Sequence, residues 1–273
     1  DIKSEKGKEI LVELIKKSDV ILHNFRAGVV DRLGLDYDSV QAINPSIVYT
    51  VISGFGAKGP RSADPAYDGA VQAAAGMMAN NGTAESGPLR TGYMPVDLMT
   101  GMTAAYATTA ALLRKQKTGK GQMVDVAMLD CAITLGSANF SRSEVDDIPD
   151  MLIGNQSITS APTASSFPTA EGAILTAAIM PNHVEAFFDE IGLKEMLNDP
   201  KFATREARIE NKEIVRDAMI EALKSDTAEN WEKRLAPRGV PVAKINSVKE
   251  TARLEQLQYR NIFTAVPAAK GMA

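Results

Sequence analysis

Three short apolar runs constrain this chain more than any other feature. They are Val20-Ile21-Leu22, then Ile47 to Ile52 (IVYTVI), then Met123 to Met128. They read as short, largely continuous apolar strands, the pattern of a strand buried on both faces. Helical segments separate them. Ile10, Leu11, Leu14 and Ile15 recur at helical spacing and predict a helix from about Glu5 to Lys17. Others are predicted over Asp38 to Ile43, Asp68 to Met78 and Pro95 to Leu113, and from Leu129 onward. Strands alternating with helices predict an α/β fold, a parallel sheet covered on both faces. Such sheets bind ligands at the carboxyl ends of their strands. Two loops fall there: Asn24-Phe25-Arg26-Ala27-Gly28 and the glycine-rich Ser53 to Pro60, SGFGAKGP.

The composition changes around Ser141 to Asp150, SRSEVDDIPD, which marks a boundary. Residues 1–145 are read as a large Rossmann-like domain, 146–165 as a linker and 166–245 as a smaller α+β domain. The small domain opens with a hairpin, Phe167–Thr169 and Ala173–Ala178 around Glu171-Gly172. Charged amphipathic helices follow over His183–Glu190, Ile209–Lys224 and Ala228–Leu235, then an extended piece over Gly239–Ile245. Residues 246–273 are read as the start of a segment returning to the first domain. The chain starts at Asp1 without a methionine and stops just after the apolar stretch Ile262–Val266, so a piece of a longer protein is expected.

Several function classes are disfavoured. A net charge of −4 offers no general attraction to nucleic acid or an anionic membrane. No apolar run reaches the roughly 18 residues of a bilayer span. The single cysteine, Cys131, rules out a disulfide framework within the chain and points to the cytoplasm. The two histidines, His23 and His183, have no partner at ligand spacing, so no metal is expected. They also make Ser-His-Asp or Cys-His hydrolysis improbable: His183 reads as a surface residue, and His23 adjoins a loop without a nucleophile nearby.

SGFGAKGP contains a G-x-G-x-x-G, but Pro60 and Pro65 prevent a helix from opening at Gly59. No acidic residue ends a second strand about 20 residues on. An NAD site is not expected, and no Gly-Lys-Ser/Thr completes a Walker loop.

The carboxylate of interest is Asp97, at the start of a small-residue helix. It reads either as a helix cap or as a nucleophile tuned by the helix end and apolar neighbours. Asp68 has the same ambiguity, and Tyr67 could simply pack. Lys3 and Arg32 could be solvated charges or anion ligands.

Taken together, DIKSEKGKE, NFRAGVVDRLGLDYDSV, INPSIVY, ISGFGAKGP, YDGAVQAAAGMM, VDLMTGM and TGKGQMVDVAMLD resemble the class III CoA-transferases. NDPKFATREARIENK and RGVPVAKI extend the resemblance over nearly the full chain, in family order and spacing. This is the family of formyl-CoA transferase and carnitine CoA-transferase, and it includes the α-methylacyl-CoA racemases. The resemblance implies coenzyme A as substrate and Asp97 as nucleophile. It implies CoA contacts from Lys3, Asn24, Phe25, Arg32 and Tyr67, with Asp68, Gly54 and Gly56 in support. The implied chemistry is transfer of CoA between an acyl-CoA and a carboxylic acid through an aspartyl anhydride and an aspartyl-CoA thioester.

The racemase branch places a histidine where this chain has Tyr67, which favours transfer over racemisation. Family members form interlocked homodimers. They also begin about one βα unit earlier, so a non-catalytic CoA-binding remnant is the alternative from another class. The glycine-rich lid of formyl-CoA transferase has no counterpart in Ser160–Ser166, which carries no glycine.

Overall fold

The structure is a computed structural model that describes residues 1–264. It divides into two compact units, the first covering Asp1–Gly154 and the second beginning at Asn155. The division falls inside the segment read as a linker.

In the first unit the three apolar runs form β1 (Val20–His23), β2 (Val48–Ser53) and β5 (Gln122–Ala127). Between β2 and β5 lies a two-residue hairpin, β3 (Gly82–Thr83) and β4 (Gly87–Pro88). The sheet order is β1-β2-β5, all parallel, with Val20 opposite Val48 and Ser53 opposite Ala127. The helices are α1 (Glu5–Lys17), α2 (Val29–Leu33), α3 (Tyr37–Ile43), α4 (Asp68–Ala74), α5 (Pro95–Thr118), α6 (Met128–Leu135) and α7 (Ser137–Glu144).

Central β2 shows why the runs are continuous. Tyr49 and Val51 pack on one face with Ile15, Leu35 and Val40. Val48 packs on the other with Ala104, Ala111, Val124 and Cys131. Each such burial stabilises the fold by about 1.5–3 kcal/mol. Thr50, the polar exception, is satisfied by the Thr108 hydroxyl of α5 at 2.7 Å.

Two helix ends differ from the sequence expectation. α4 stops at Ala74 rather than Met78, because Gly76 adopts φ +72° and turns the chain into a short 3-10 segment, Met77–Asn80. α5 runs past Leu113 to Thr118. Arg114, Lys115, Gln116 and Lys117 are good helix formers and suit a helix carboxyl end. The first residue able to stop the helix is Gly119, at φ +72°.

The second unit packs an antiparallel sheet, β6 (Ser166–Pro168), β7 (Ala173–Thr176) and β8 (Val242–Lys244), against helices. These are α8 (Pro181–Glu190), α9 (Pro200–Ala203), α10 (Arg205–Glu210), α11 (Lys212–Leu223) and α12 (Ala228–Leu235). Its core joins Phe167, Ile174, Phe187, Phe188, Met219 and Trp231. The helix expected over Ile209–Lys224 is broken at Asn211, whose side-chain amide donates to the Lys201 and Ala207 carbonyls.

Part of the expected linker is structured. Thr163, Ala164 and Ser165 are buried, and the Thr176 hydroxyl of β7 donates to the Thr163 carbonyl at 2.7 Å. His183 is half-buried rather than a plain surface residue, and its Nδ1 has no hydrogen-bond partner among the described residues. The expected returning segment holds α13 (Val248–Thr251) and α14 (Glu255–Tyr259); its remainder, 265–273, lies outside the described residues. No described helix is long and apolar enough to cross a membrane.

Candidate functional site

A cleft of about 500 Å³ opens at the carboxyl ends of all three parallel strands. Asn24 and Phe25 follow β1, Ser53 and Gly54 close β2, and Met128 follows β5. Tyr67, Asp97, Thr100 and Gly101 complete its wall. A second cleft of about 410 Å³ adjoins it and shares Phe25, Arg26, Ala27, Ser53 and Ser62. Its floor is apolar and aromatic (Tyr37, Tyr49, Val51, Met123); Arg26 and Lys58 bring positive charge to it, and Asp31 and Asp36 negative charge. The NFRAG loop and the SGFGAKGP loop together form the wall common to both.

The hydrogen bonds of Asp68 and Asp97 show which of the two caps α5. Asp97 is the third residue of α5 and does not cap it; the capping position belongs to Met94, which offers no side-chain acceptor. Asp68 supplies the cap from another helix. Its Oδ2 accepts from the Val96 and Asp97 amides at 2.9 and 3.0 Å. Nor does Asp68 cap its own helix, where Tyr67 holds that position.

Asp68 is only 5% exposed. Its other oxygen accepts from the Gln72 side-chain amide, which also donates to the Thr91 hydroxyl. Gln72 Oε1 in turn accepts from the Thr91 amide at 3.0 Å. This buried polar cluster pins the start of α5 and leaves the Asp97 carboxylate free. Asp97 is exposed to the cleft; the desolvation that its carboxyl does undergo, and then the charge of Asp68, push it above its ordinary value.

The other predicted residues divide. Asn24, Phe25, Gly54 and Tyr67 lie with Asp97 in one cleft, and Gly56 lines its neighbour. Tyr67 is 79% exposed. Lys3 and Arg32 line neither cleft. Lys3 is exposed, its amide donating to Asp1. Arg32 extends over Gly28 at the start of α2. Sequence reasoning passed over Arg26, which lines both clefts, and the Gln72–Thr91 pair. Adjacency to Asn24 and Phe25 could have flagged Arg26. No local signal marks Thr91, 19 residues from its partner.

Gly54 and Gly56 are needed for different reasons. Gly56 takes φ +98°, a conformation that other residues rarely adopt. Gly54 has an ordinary backbone, but a Cβ there would overlap the Cβ of Ala66. Gly54→Ala is therefore expected to push the Ala66–Tyr67 segment away from the strand end. Turnover should fall by about tenfold or more, with most of the secondary structure retained by circular dichroism.

Among the described residues no group of three or more His, Cys, Asp or Glu is placed to hold a metal ion.

The parallel three-stranded sheet, with both clefts at the carboxyl ends of its strands, places the first unit in the class of open α/β ligand-binding domains. The family model described as CoA-transferase family III matches residues 1–273, and the chain belongs to that family. It is 34% identical to the acetyl-CoA:oxalate CoA-transferase of Acetobacter aceti over 96% of this chain and 68% of that protein. It is also 34% identical to the formyl-CoA:oxalate CoA-transferase of Streptomyces coelicolor, over 97% and 68%. A CaiB/BaiF family protein from Brucella suis, known from its crystal structure, superposes with a TM-score of 0.84 at 28% identity, over 95% of this chain and 68% of that one. The chain is thus an enzyme of the CoA-transferase type, a family whose substrates are CoA thioesters.

Proposed function

We propose that this protein moves CoA between an acyl-CoA and a carboxylic acid through covalent intermediates on Asp97. The observation that carries the proposal is the cap exchange at α5: Asp68 takes the helix amides, so the Asp97 carboxylate faces the cleft without an amide of its own helix end to satisfy.

In the first step an Asp97 oxygen attacks the thioester carbonyl, the C–S bond breaks and CoA leaves as the thiolate. A mixed anhydride remains on Asp97. The thiolate then attacks the aspartyl carbonyl, releasing the donor carboxylate and leaving an aspartyl-CoA thioester. The acceptor carboxylate attacks that thioester and expels the thiolate again, forming a second anhydride. Attack of the thiolate on the acceptor's acyl carbon yields the new acyl-CoA and restores Asp97. No net proton or electron is required.

The extended CoA molecule is assigned to both clefts, with its thioester beside Asp97 and its nucleotide end toward Tyr37 and Met123. Asn24, Phe25, Arg26 and Tyr67 are the contacts this places nearby, and Lys58 and Arg26 suit its phosphates. Lys3 and Arg32 remain proposed phosphate ligands from the family resemblance, outside the two clefts. Racemisation is disfavoured because no histidine lines the Asp97 cleft among the described residues, and Tyr67 stands in the segment where the racemases carry one.

The complete protein is proposed to be an interlocked homodimer in the cytoplasm. Leu98, Met102 and Tyr106 recur every fourth residue on α5, directly beyond Asp97, and all three are well exposed. Such an apolar stripe supports coverage by a partner chain.

Incubating the protein with acyl-CoA and then hydroxylamine should convert Asp97 to the hydroxamate, read by peptide mass spectrometry. No label, or a label on another carboxylate, would remove the covalent role from Asp97.

A further inference from the structure

We propose that His23 is a positioning residue for the loop carrying Asn24, Phe25 and Arg26, and that it serves this role only as a neutral imidazole protonated on Nε2. The proposal rests on the assignment of the adjoining clefts to an acyl-CoA.

The hydrogen bonds around His23 settle its tautomer. The Phe25 amide can only donate, and it points at His23 Nδ1 at 3.3 Å, so Nδ1 is an acceptor. Tyr49 has one hydroxyl proton, which it gives to the Leu35 carbonyl at 2.7 Å. The 2.9 Å contact between Tyr49 and His23 Nε2 must therefore run from Nε2–H to the phenol oxygen. The result is a directed chain from the Phe25 amide, through the imidazole and the Tyr49 hydroxyl, to the Leu35 carbonyl.

The ring's packing is fixed as well. It stacks on Phe25 with centroids 5.8 Å apart and meets Tyr49 edge-on at 5.3 Å. Tyr49 is buried in the sheet core. The chain thus ties an exposed loop to the buried central strand of the sheet. An imidazolium would carry a proton on both nitrogens, and its Nδ1–H would oppose the Phe25 N–H, donor against donor.

The charged and titratable groups around this ring are of both signs. Arg26 and Lys58 come from the two loops, Asp31 from α2, Asp36 from the start of α3, and the Tyr37 phenol from α3 itself. Burial holds His23 below its ordinary value of 6.5. Burial first, and then Asp36 and Asp31, push the Tyr49 phenol up to about 12, so it keeps its proton at any physiological pH. At neutral pH the chain is intact, and acidification breaks it at His23.

The test uses the intact protein, with CoA dissociation constants measured between about pH 5 and pH 8. In the wild type, CoA should bind several-fold more weakly as pH falls through the depressed pKa of His23. His23→Asn, whose Oδ1 can accept from the Phe25 amide but which loses the bond to Tyr49, should bind CoA a few-fold more weakly than the wild type at neutral pH and lose the His23-dependent part of the acid decline. Tyr49→Phe should raise the KM for acyl-CoA by about threefold to tenfold with little change in kcat, because one supporting hydrogen bond is lost. The ¹⁵N shifts of the His23 ring in the free protein should report a proton on Nε2 alone.

A proton on Nδ1 overturns the proposal, as does a superposable pH dependence of wild type and His23→Asn. Affinity that rises on acidification through His23 overturns it too, since the imidazolium would then be the binding form. If the wild type fails to bind CoA at every pH, the cleft assignment fails instead, and the ring shifts still decide the tautomer.

Discussion

Asp97→Asn should abolish CoA transfer, lowering kcat by about 10⁴-fold or more, as loss of a covalent nucleophile does elsewhere. The acyl-CoA should still bind, because the amide keeps the shape of the side chain. The fold should not suffer. A carboxyl raised above its ordinary value favours the fold only while protonated. Its contribution is fully present below 3.8, its ordinary value, and is lost as pH rises through the folded value. At neutral pH the ionised Asp97 therefore works against folding, and the Asn variant should melt at the same temperature or slightly higher. A variant that melts lower and retains turnover would show that Asp97 is structural. The wild-type rate should fall on acidification, with the acid limb above the position of an unperturbed aspartate.

Asp68→Ala should damage both stability and turnover. The Val96 and Asp97 amides lose their acceptor, costing about 1 kcal/mol for the cap. The buried Gln72 amide loses a partner, costing about 1–3 kcal/mol more. A fall in Tm of roughly 5–15 °C is expected. Asp68→Asn should be milder, because its single oxygen can still accept from the two helix amides. Its NH₂ group then meets that of Gln72, and Gln72 cannot turn over without releasing the Thr91 amide.

The two variants share a second readout. With the negative charge of Asp68 removed, the acid limb of turnover should move to lower pH. An unchanged limb would mean that Asp68 acts only as a cap.

The sheet was legible in the sequence because its strands are short, largely apolar runs, but only β2 is buried on both faces: Leu22 of β1 and Asp125 of β5 are exposed. The helix ends were less legible. Each depends on which residue first enters the left-handed region, and neither the break at Gly76 nor the persistence of α5 to Thr118 follows from hydrophobic spacing. In the site, Asp97 was visible as a lone carboxylate at a helix start, but its freedom from capping was not. That freedom depends on Asp68, whose oxygen reaches Asp97's amide from 29 residues away. The role proposed for His23 was hidden for a related reason: its partner Tyr49 lies 26 residues on, on the neighbouring strand, and is itself held by the Leu35 carbonyl.

The contact between Gly54 and Ala66 carries a consequence for how this sequence can vary. The two positions share space for a single methyl group, so the effect of a substitution at one depends on the other. Ala66→Gly alone should be mildly harmful, by about 0.5–1 kcal/mol from the added entropy of the unfolded chain. In the Gly54→Ala background the same change should restore the lost activity. Positions 54 and 66 should therefore exchange their methyl group as a pair across related sequences, leaving the cleft wall where it is.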